Sequence, residues 1–167
     1  MIKEIDIIGK AEAAKKSGKI GHIGFSFHDG PDAFKEIIDG YDKWEFCQIQ
    51  YNYMDTENQA GTKGLEHAAA KGIPVIVMEP LLGGRLARPP KSVLKLFEEY
   101  PEKKTPADWA LQWLWNKPEV TLVLSGMGSI EQVDENIASA NASAVNSLTT
   151  DDLKFIDSVK LNLMKDL

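Results

Sequence analysis

Four times along this chain a short run with apolar residues at every second position gives way to a longer run with apolar residues three or four apart. The first spacing belongs to a strand with one face buried, the second to a helix lying on a core. A helix between consecutive strands returns the chain to the same end of the sheet, so the strands must run parallel with right-handed crossovers. That constraint alone places the chain in the α/β class, as four parallel β/α units within a single domain spanning residues 1–167.

The runs can be placed residue by residue. After a helix over 11–17 closed by Gly18, residues 20–28 alternate, with Ile23, Phe25 and Phe27 on one face and His22, Gly24, Ser26 and His28 on the other. Residues 31–39 follow as a helix with Phe34, Ile37 and Ile38 inward, and Gly40 ends it. Residues 46–53 alternate again, setting Gln48, Gln50 and Asn52 against Cys47, Ile49, Tyr51 and Tyr53. A helix over 65–71 stops at Gly72, and the β-branched run 73–78 is expected to be a strand buried on both faces and ended by Pro80. Helices are expected over 92–100 and 105–116, the second with Thr105 as N-cap and Pro106 in the first helical position. The fourth strand covers 120–124. Ser129 then opens a helix through Asn136 and Ala140, with Gln132 three residues on to complete a capping box, and a last helix runs over 150–163.

Charge and cysteine usage narrow the partners. Nineteen Lys and Arg stand against 25 Asp and Glu, a formal charge of −6, which disfavours a nucleic-acid partner. Cys47 is the one cysteine, so this chain by itself forms no internal disulfide, cysteine-based zinc site or iron–sulfur cluster, and no metal site is expected. Acids at positions 4 and 6 interrupt the N-terminal stretch, where a signal peptide or membrane helix would need an apolar run. The expectation is a soluble, cytoplasmic chain with no membrane partner.

Three segments carry chemistry. Gln48 and Gln50 lie inside an otherwise apolar strand, where an unpaired buried amide costs about 1–3 kcal/mol, so something polar should face them; bonds to neighbouring strands would also satisfy them. The run 124–129, Leu-Ser-Gly-Met-Gly-Ser, leaves a strand and enters a helix through two glycines, a place where free N–H groups favour an anion and where glycines also serve plain turn geometry. The run 77–86 leaves a strand into a Gly-rich loop ending near Arg85, able to fold over a ligand or simply to connect. Trp109, Trp113 and Trp115 are spaced for packing and are read as core.

Taken together, Gly-Lys-Ile-Gly-His-Ile-Gly-Phe-Ser at 18–26, Gln-Ile-Gln-Tyr-Asn at 48–52, Glu-Pro-Leu-Leu-Gly-Gly-Arg-Leu at 79–86, and Ser-Gly-Met-Gly-Ser at 125–129 with Glu135-Asn136 resemble the aldo-keto reductases over nearly the whole chain. The resemblance implies a (β/α)8 barrel that binds a nicotinamide cofactor at the carboxyl ends of its strands, of which this chain is similar to the C-terminal half, strands five to eight. By that resemblance Ser26 and Gln48 hold the nicotinamide amide and Met78 lies against the nicotinamide face. Leu81 and Gly83 belong to the pyrophosphate loop; Gly126, Met127, Gly128, Ser129, Gln132 and Asn136 receive the adenosine half.

The resemblance also implies an incomplete machine. The family's catalytic Tyr, with its Lys, Asp and His partners, comes from the first four strands and has no match here, so no catalytic residue is assigned; His28 is the nearest substitute for a general acid. The expected cofactor is NAD(H) or NADP(H), bound weakly or not at all by the isolated chain. The expected partners are a missing N-terminal half or a second copy, with a small carbonyl compound as substrate once the site is complete. The double-glycine loop is similar to a branch of the family that often continues into a cysteine-rich ferredoxin-like tail, of which this sequence carries no cysteines. Three readings stay open: the cofactor-binding half of an oxidoreductase, a non-catalytic half-barrel module that self-associates, or a self-sufficient reductase. Between Lys117 and Lys154 there is no Lys or Arg, so NADH is expected to bind at least as well as NADPH, with Arg85 or Arg88 as the cations that could answer a 2′-phosphate.

Overall fold

A computed structural model describes residues 6–165. Its elements run α1 (Ile7–Lys16), β1 (Gly24–Ser26), α2 (Pro31–Asp39), β2 (Phe46–Gln50), α3 (Gly61–Ala70), β3 (Val75–Met78), α4 (Lys91–Glu99), α5 (Pro106–Trp115), β4 (Val120–Val123), α6 (Ile130–Asn141) and α7 (Thr150–Lys165). The four strands form one parallel sheet in the order β1-β2-β3-β4. The expected α/β topology is therefore what the chain adopts. No helix among the described residues is long and apolar enough to cross a membrane.

The helices start where the sequence supplies caps. Thr105 accepts a bond from Asp108 N at the head of α5, with Pro106 just inside. At α7, Thr149 and Asp152 cap one another reciprocally: Asp152 N donates to the Thr149 hydroxyl oxygen, and Thr149 N and Oγ1 donate to the Asp152 carboxylate at 2.8 and 2.7 Å. Tyr100 donates to the same carboxylate at 2.8 Å, which ties the end of α4 to the start of α7.

Among the described residues, helices cover one face of the sheet only. On that face Phe27, Cys47, Ile49, Tyr51, Val75, Val77 and Val120 form a cluster with Phe34 and Ile38 of α2, Leu65 and Ala68 of α3, and Leu114 of α5. A second cluster joins α4, α5 and α7 around Trp109, Val93, Phe97, Ile156 and Val159. The other face carries Gly24, Ser26, Phe46, Gln48, Gln50, Ile76, Met78, Leu122 and Leu124, all half-buried or exposed, with the two leucines 44% and 42% exposed. An added Cβ at Gly24 would stand 2.5 Å from the Phe46 ring, so the glycine is what lets that ring lie across the face.

Three expectations change. The first strand is Gly24–Ser26 rather than 20–28, because the ladder with β2 pairs only Gly24, Phe25 and Ser26 with Phe46, Cys47 and Gln48. Likewise β2 ends at Gln50, where the Asn52 side chain turns the chain. The third strand is buried on one face, not two: Val75 and Val77 are fully covered, while Ile76 and Met78 point to the open side, which no helix among the described residues covers. An irregularity between β3 and β4, where Val75 pairs with Val120 but Ile76 with Leu122, leaves Thr121 over; its hydroxyl accepts from Val75 N at 3.2 Å and keeps Leu122 on the open face.

Cys47 sits on the covered face with no exposure, and burial pushes its thiol up to about 12. The thiolate is the reactive form. Cys47 is thus expected to stay unmodified by a thiol-specific disulfide reagent at mildly alkaline pH and to react fully once denaturant unfolds the chain. Rapid labelling of the native protein would mean that β2 leaves the sheet.

Candidate cofactor site

Parallel strands deliver all their carboxyl ends to one edge of the sheet, and the loops that follow β3 and β4 enclose a cavity of about 730 Å³ there. Leu81, Gly83, Gly84 and Arg88 line it from the loop after β3, Leu124, Ser125 and Gly126 from the turn after β4, and Gln132, Glu135 and Asn136 from α6.

The loop after β3 is held in an unusual backbone. Glu79 and Leu82 have φ of 55° and 49°, followed by Gly83 and Gly84 at 62° and 87°. Glycine adopts such angles freely, whereas Glu79 and Leu82 must be held there. Asn52, fully buried, does part of the holding: its Nδ2 donates to Glu79 O at 2.9 Å, while its Oδ1 accepts from Met54 N and Asp55 N. Glu79 closes the turn itself, its Oε2 accepting from Gly83 N at 2.6 Å.

Across the cavity, Ser129 caps α6 by accepting from Gln132 N at 3.4 Å. The capping box is displaced by one residue, since the Gln132 side chain accepts from Gly128 N at 2.8 Å rather than from Ser129 N. Asn136 donates to Ser125 Oγ at 2.9 Å and fastens the turn to the helix.

The sequence-derived site residues fall into three groups. Leu81, Gly83, Gly126, Gln132 and Asn136 meet round the cavity. Met127, Gly128 and Ser129 belong to the same turn but are exposed outside its lining. Ser26, Gln48 and Met78 lie apart from the cavity, on the open face: Ser26 pairs in register with Gln48, whose Nε2 donates to Met78 Sδ at 3.4 Å. Gln50 is satisfied within the chain, donating to Asp55 and accepting from Gln59 Nε2. His28 is exposed past the end of β1.

Sequence reasoning had no signal for Asn52 as the post of the Glu79 loop. It also passed over the two carboxylates on the cavity wall, Glu79 and Glu135, although both lie in the quoted motifs. Of the two arginines considered, Arg88 lines the cavity and Arg85 does not. Among the described residues, no group of three or more His, Cys, Asp or Glu is placed to hold a metal ion.

A four-stranded parallel sheet with helices on one face, an open second face and a cavity at its carboxyl edge is the arrangement of part of a TIM-type barrel enzyme. The chain belongs to the aldo/keto reductase family, whose model matches residues 4–160. It is 27% identical over 135 residues to an uncharacterized oxidoreductase of Schizosaccharomyces pombe, covering 81% of this chain and 42% of that protein. Aldo-keto reductase AKR11C1 from Bacillus halodurans, in its holo form, superposes with a TM-score of 0.70 at 25% identity, over 89% of this chain and 53% of that one. An aldo-keto reductase from Klebsiella pneumoniae in complex with NADPH shares the fold at a TM-score of 0.67 and 22% identity, over 89% and 51%. The chain thus spans about half the length of these relatives.

Proposed function

We propose that this chain is the cofactor-holding half of an NAD(P)H-dependent oxidoreductase acting on carbonyl compounds, and that turnover requires the rest of a barrel, supplied by an N-terminal half. The observation that carries this is the cavity at the carboxyl ends of β3 and β4. Its walls are bare of side chains at Gly83, Gly84 and Gly126 and carry the Arg88 guanidinium with the amides of Gln132 and Asn136. The guanidinium, the amides and the bare backbone at Gly84 and Gly126 give a phosphorylated nucleotide its donors, beside the carboxylates of Glu79 and Glu135 on the same walls. The size also suits one, since ligand pockets run to about 300–1,000 Å³.

When bound, a nicotinamide cofactor supplies the hydride that reduces a carbonyl carbon. The Ser26–Gln48–Met78 patch offers a hydroxyl, an amide and a polarisable sulfur where the nicotinamide end would be oriented. The carbonyl oxygen must then take a proton, and this chain's tyrosines are engaged elsewhere. Tyr41 donates to Glu12, Tyr51 shares a bond with Thr62, Tyr100 donates to Asp152, and Tyr53 is buried in the second cluster, where burial raises its pKa. A missing general acid commonly costs a factor of about 100 to 10,000 in rate.

The pure chain is therefore expected to quench or enhance the fluorescence of NADH or NADPH on titration without oxidising either in the presence of simple aldehydes. Coexpression with an N-terminal aldo-keto reductase half should restore turnover. Fast turnover by the chain alone, abolished by His28→Ala, would overturn the proposal and make His28 the acid. The second reading, a half-barrel that pairs with its own copy and does no chemistry, draws on the exposed Leu122 and Leu124 of the open face. It predicts dimers by light scattering together with no cofactor response.

A further inference from the structure

Of the polar residues on the open face, Gln50 alone has no part in the cofactor reading above. It points to the same side as Gln48, two residues and about 7 Å nearer the carboxyl edge, in register with Met78. Its amide is held at both ends. Nε2 donates to Asp55 Oδ2 at 2.8 Å, and Oε1 accepts from Gln59 Nε2 at 3.1 Å. Asp55 is anchored in turn through its own N–H, which donates to the buried Asn52 Oδ1 at 2.9 Å.

Two oxygens of this group are left over. Gln59 Oε1 is buried with no hydrogen-bond partner, on a residue held in a left-handed backbone at φ 54°. Strained residues other than glycine cluster at ligand clamps, and a buried acceptor without a donor calls for one. Asp55 Oδ1 is the other. Among the described residues no Lys, Arg or His pairs with Asp55; Lys160, a cation that reaches this loop, donates to Thr56 Oγ1 at 3.2 Å instead. Glu57, two residues on, and Glu79 on the next loop add negative charge, while the strand residues of the open face carry none of either sign.

We infer that Asp55 and Gln59, held by Gln50, form the specificity wall of the substrate site and select carbonyl compounds that carry a protonated primary amine, an assignment that rests on the oxidoreductase reading above. An ammonium has three donors. One meets Asp55 Oδ1, and a small swing of the half-buried Gln59 side chain brings its Oε1 onto a second and ends its orphaned state. A bond between ammonium and carboxylate is roughly twice as strong as a neutral one, whereas a hydroxyl in the same place offers one donor and no charge. The amine takes no part in the transfer: beside Gln48 and Met78 the carbonyl carbon receives the hydride, and the carbonyl oxygen receives a proton from the N-terminal half.

Two ketones that differ only in the group presented to Asp55, para-aminomethyl acetophenone and para-hydroxymethyl acetophenone, test this, since their ring spans the distance from Gln48 to Gln50. The full chain, isotope-labelled, is titrated with each while the side-chain amide signals of Gln50 and Gln59 are followed by NMR. The amine is expected to move both signals and to bind at least about tenfold more tightly than the alcohol. Asp55→Asn, which still offers Gln50 an oxygen, should bring the two toward parity. The chain coexpressed with an N-terminal aldo-keto reductase half should show the same preference in kcat/KM, carried by KM rather than kcat. Equal binding of the two ketones by the unmodified chain, or binding of neither, would overturn the inference while leaving the oxidoreductase reading intact. A preference that survives Asp55→Asn, with the variant's melting curve unchanged, would overturn it as well. Signals that move for the amine, with no turnover of either ketone by the joined halves, would sink the oxidoreductase reading and the substrate role with it.

Discussion

Trp109→Ala is expected to lower the free energy of unfolding by about 3–5 kcal/mol, read from urea curves followed by circular dichroism. Trp109 is wholly buried and is the largest side chain of the second cluster. Its ring meets Tyr100 nearly edge-on at 5.4 Å and Phe155 at 5.2 Å, and Lys104 Nζ stands 4.7 Å from its centroid. Aromatic contacts of this kind add about 0.5–1.5 kcal/mol each to the burial itself. Against that gain, the indole N–H is buried without a hydrogen-bond partner. Trp109→Phe removes this donor along with part of the ring, so it should cost clearly less than the alanine variant. A loss under about 1 kcal/mol for Trp109→Ala would mean that α4, α5 and α7 do not unfold together with the sheet.

The α/β order and most helix starts could be read from the sequence because they depend on local information. Thr105 with Pro106, Ser129 with Gln132, and Pro31 announce helix starts wherever they occur. The alternation that set Phe27, Cys47 and Ile49 on one face and Ser26, Gln48 and Gln50 on the other is likewise a property of the strand itself. What the sequence hid depends on neighbours. The run 73–78 reads as buried on both faces because Ile76 and Met78 are as apolar as Val75 and Val77; only the placement of the helices decides that one pair is covered. Strand length is similarly set by the partner strand, which is why the nine-residue alternation at 20–28 yields a ladder of three residues.

The cavity was half legible. Leu81, Gly83, Gly126, Gln132 and Asn136 came from motif resemblance, and the structure does gather them, although their roles await the titrations above. Glu135 stood in the same motif, but Thr105, which donates to it, is thirty residues away in sequence, and no pattern within either helix reveals that bond. Glu79 in a left-handed backbone is less readable still, since glutamate has no preference for it. The device that holds it is a buried side chain on another strand's loop.

That device carries the last prediction: Asn52→Leu should destabilise the chain by about 2–4 kcal/mol and also weaken cofactor binding. Leucine has a similar volume but no polar atoms, so the substitution leaves Glu79 O, Met54 N and Asp55 N without the partners they now have at 2.9, 3.0 and 2.9 Å. Each unpaired buried group costs about 1–3 kcal/mol, reduced where water can reach it, and Met54 and Asp55 are only half-buried. The second consequence concerns the site. A left-handed residue other than glycine costs about 1–2 kcal/mol, and Glu79 persists in it because Asn52 and Gly83 over-determine its position. Without Asn52 the loop is free to relax, carrying Leu81, Gly83 and Arg88 away from the wall formed by Gly126 and Asn136. NADH affinity should then fall by about tenfold or more, even at temperatures where the variant remains folded. Glu79→Gly separates the two effects, because glycine accepts the left-handed angle without strain. In that background Asn52→Leu should still lower stability through Met54 and Asp55, while its effect on NADH affinity shrinks. Should NADH bind Asn52→Leu as tightly as the unmodified chain, the loop's shape would not depend on this contact.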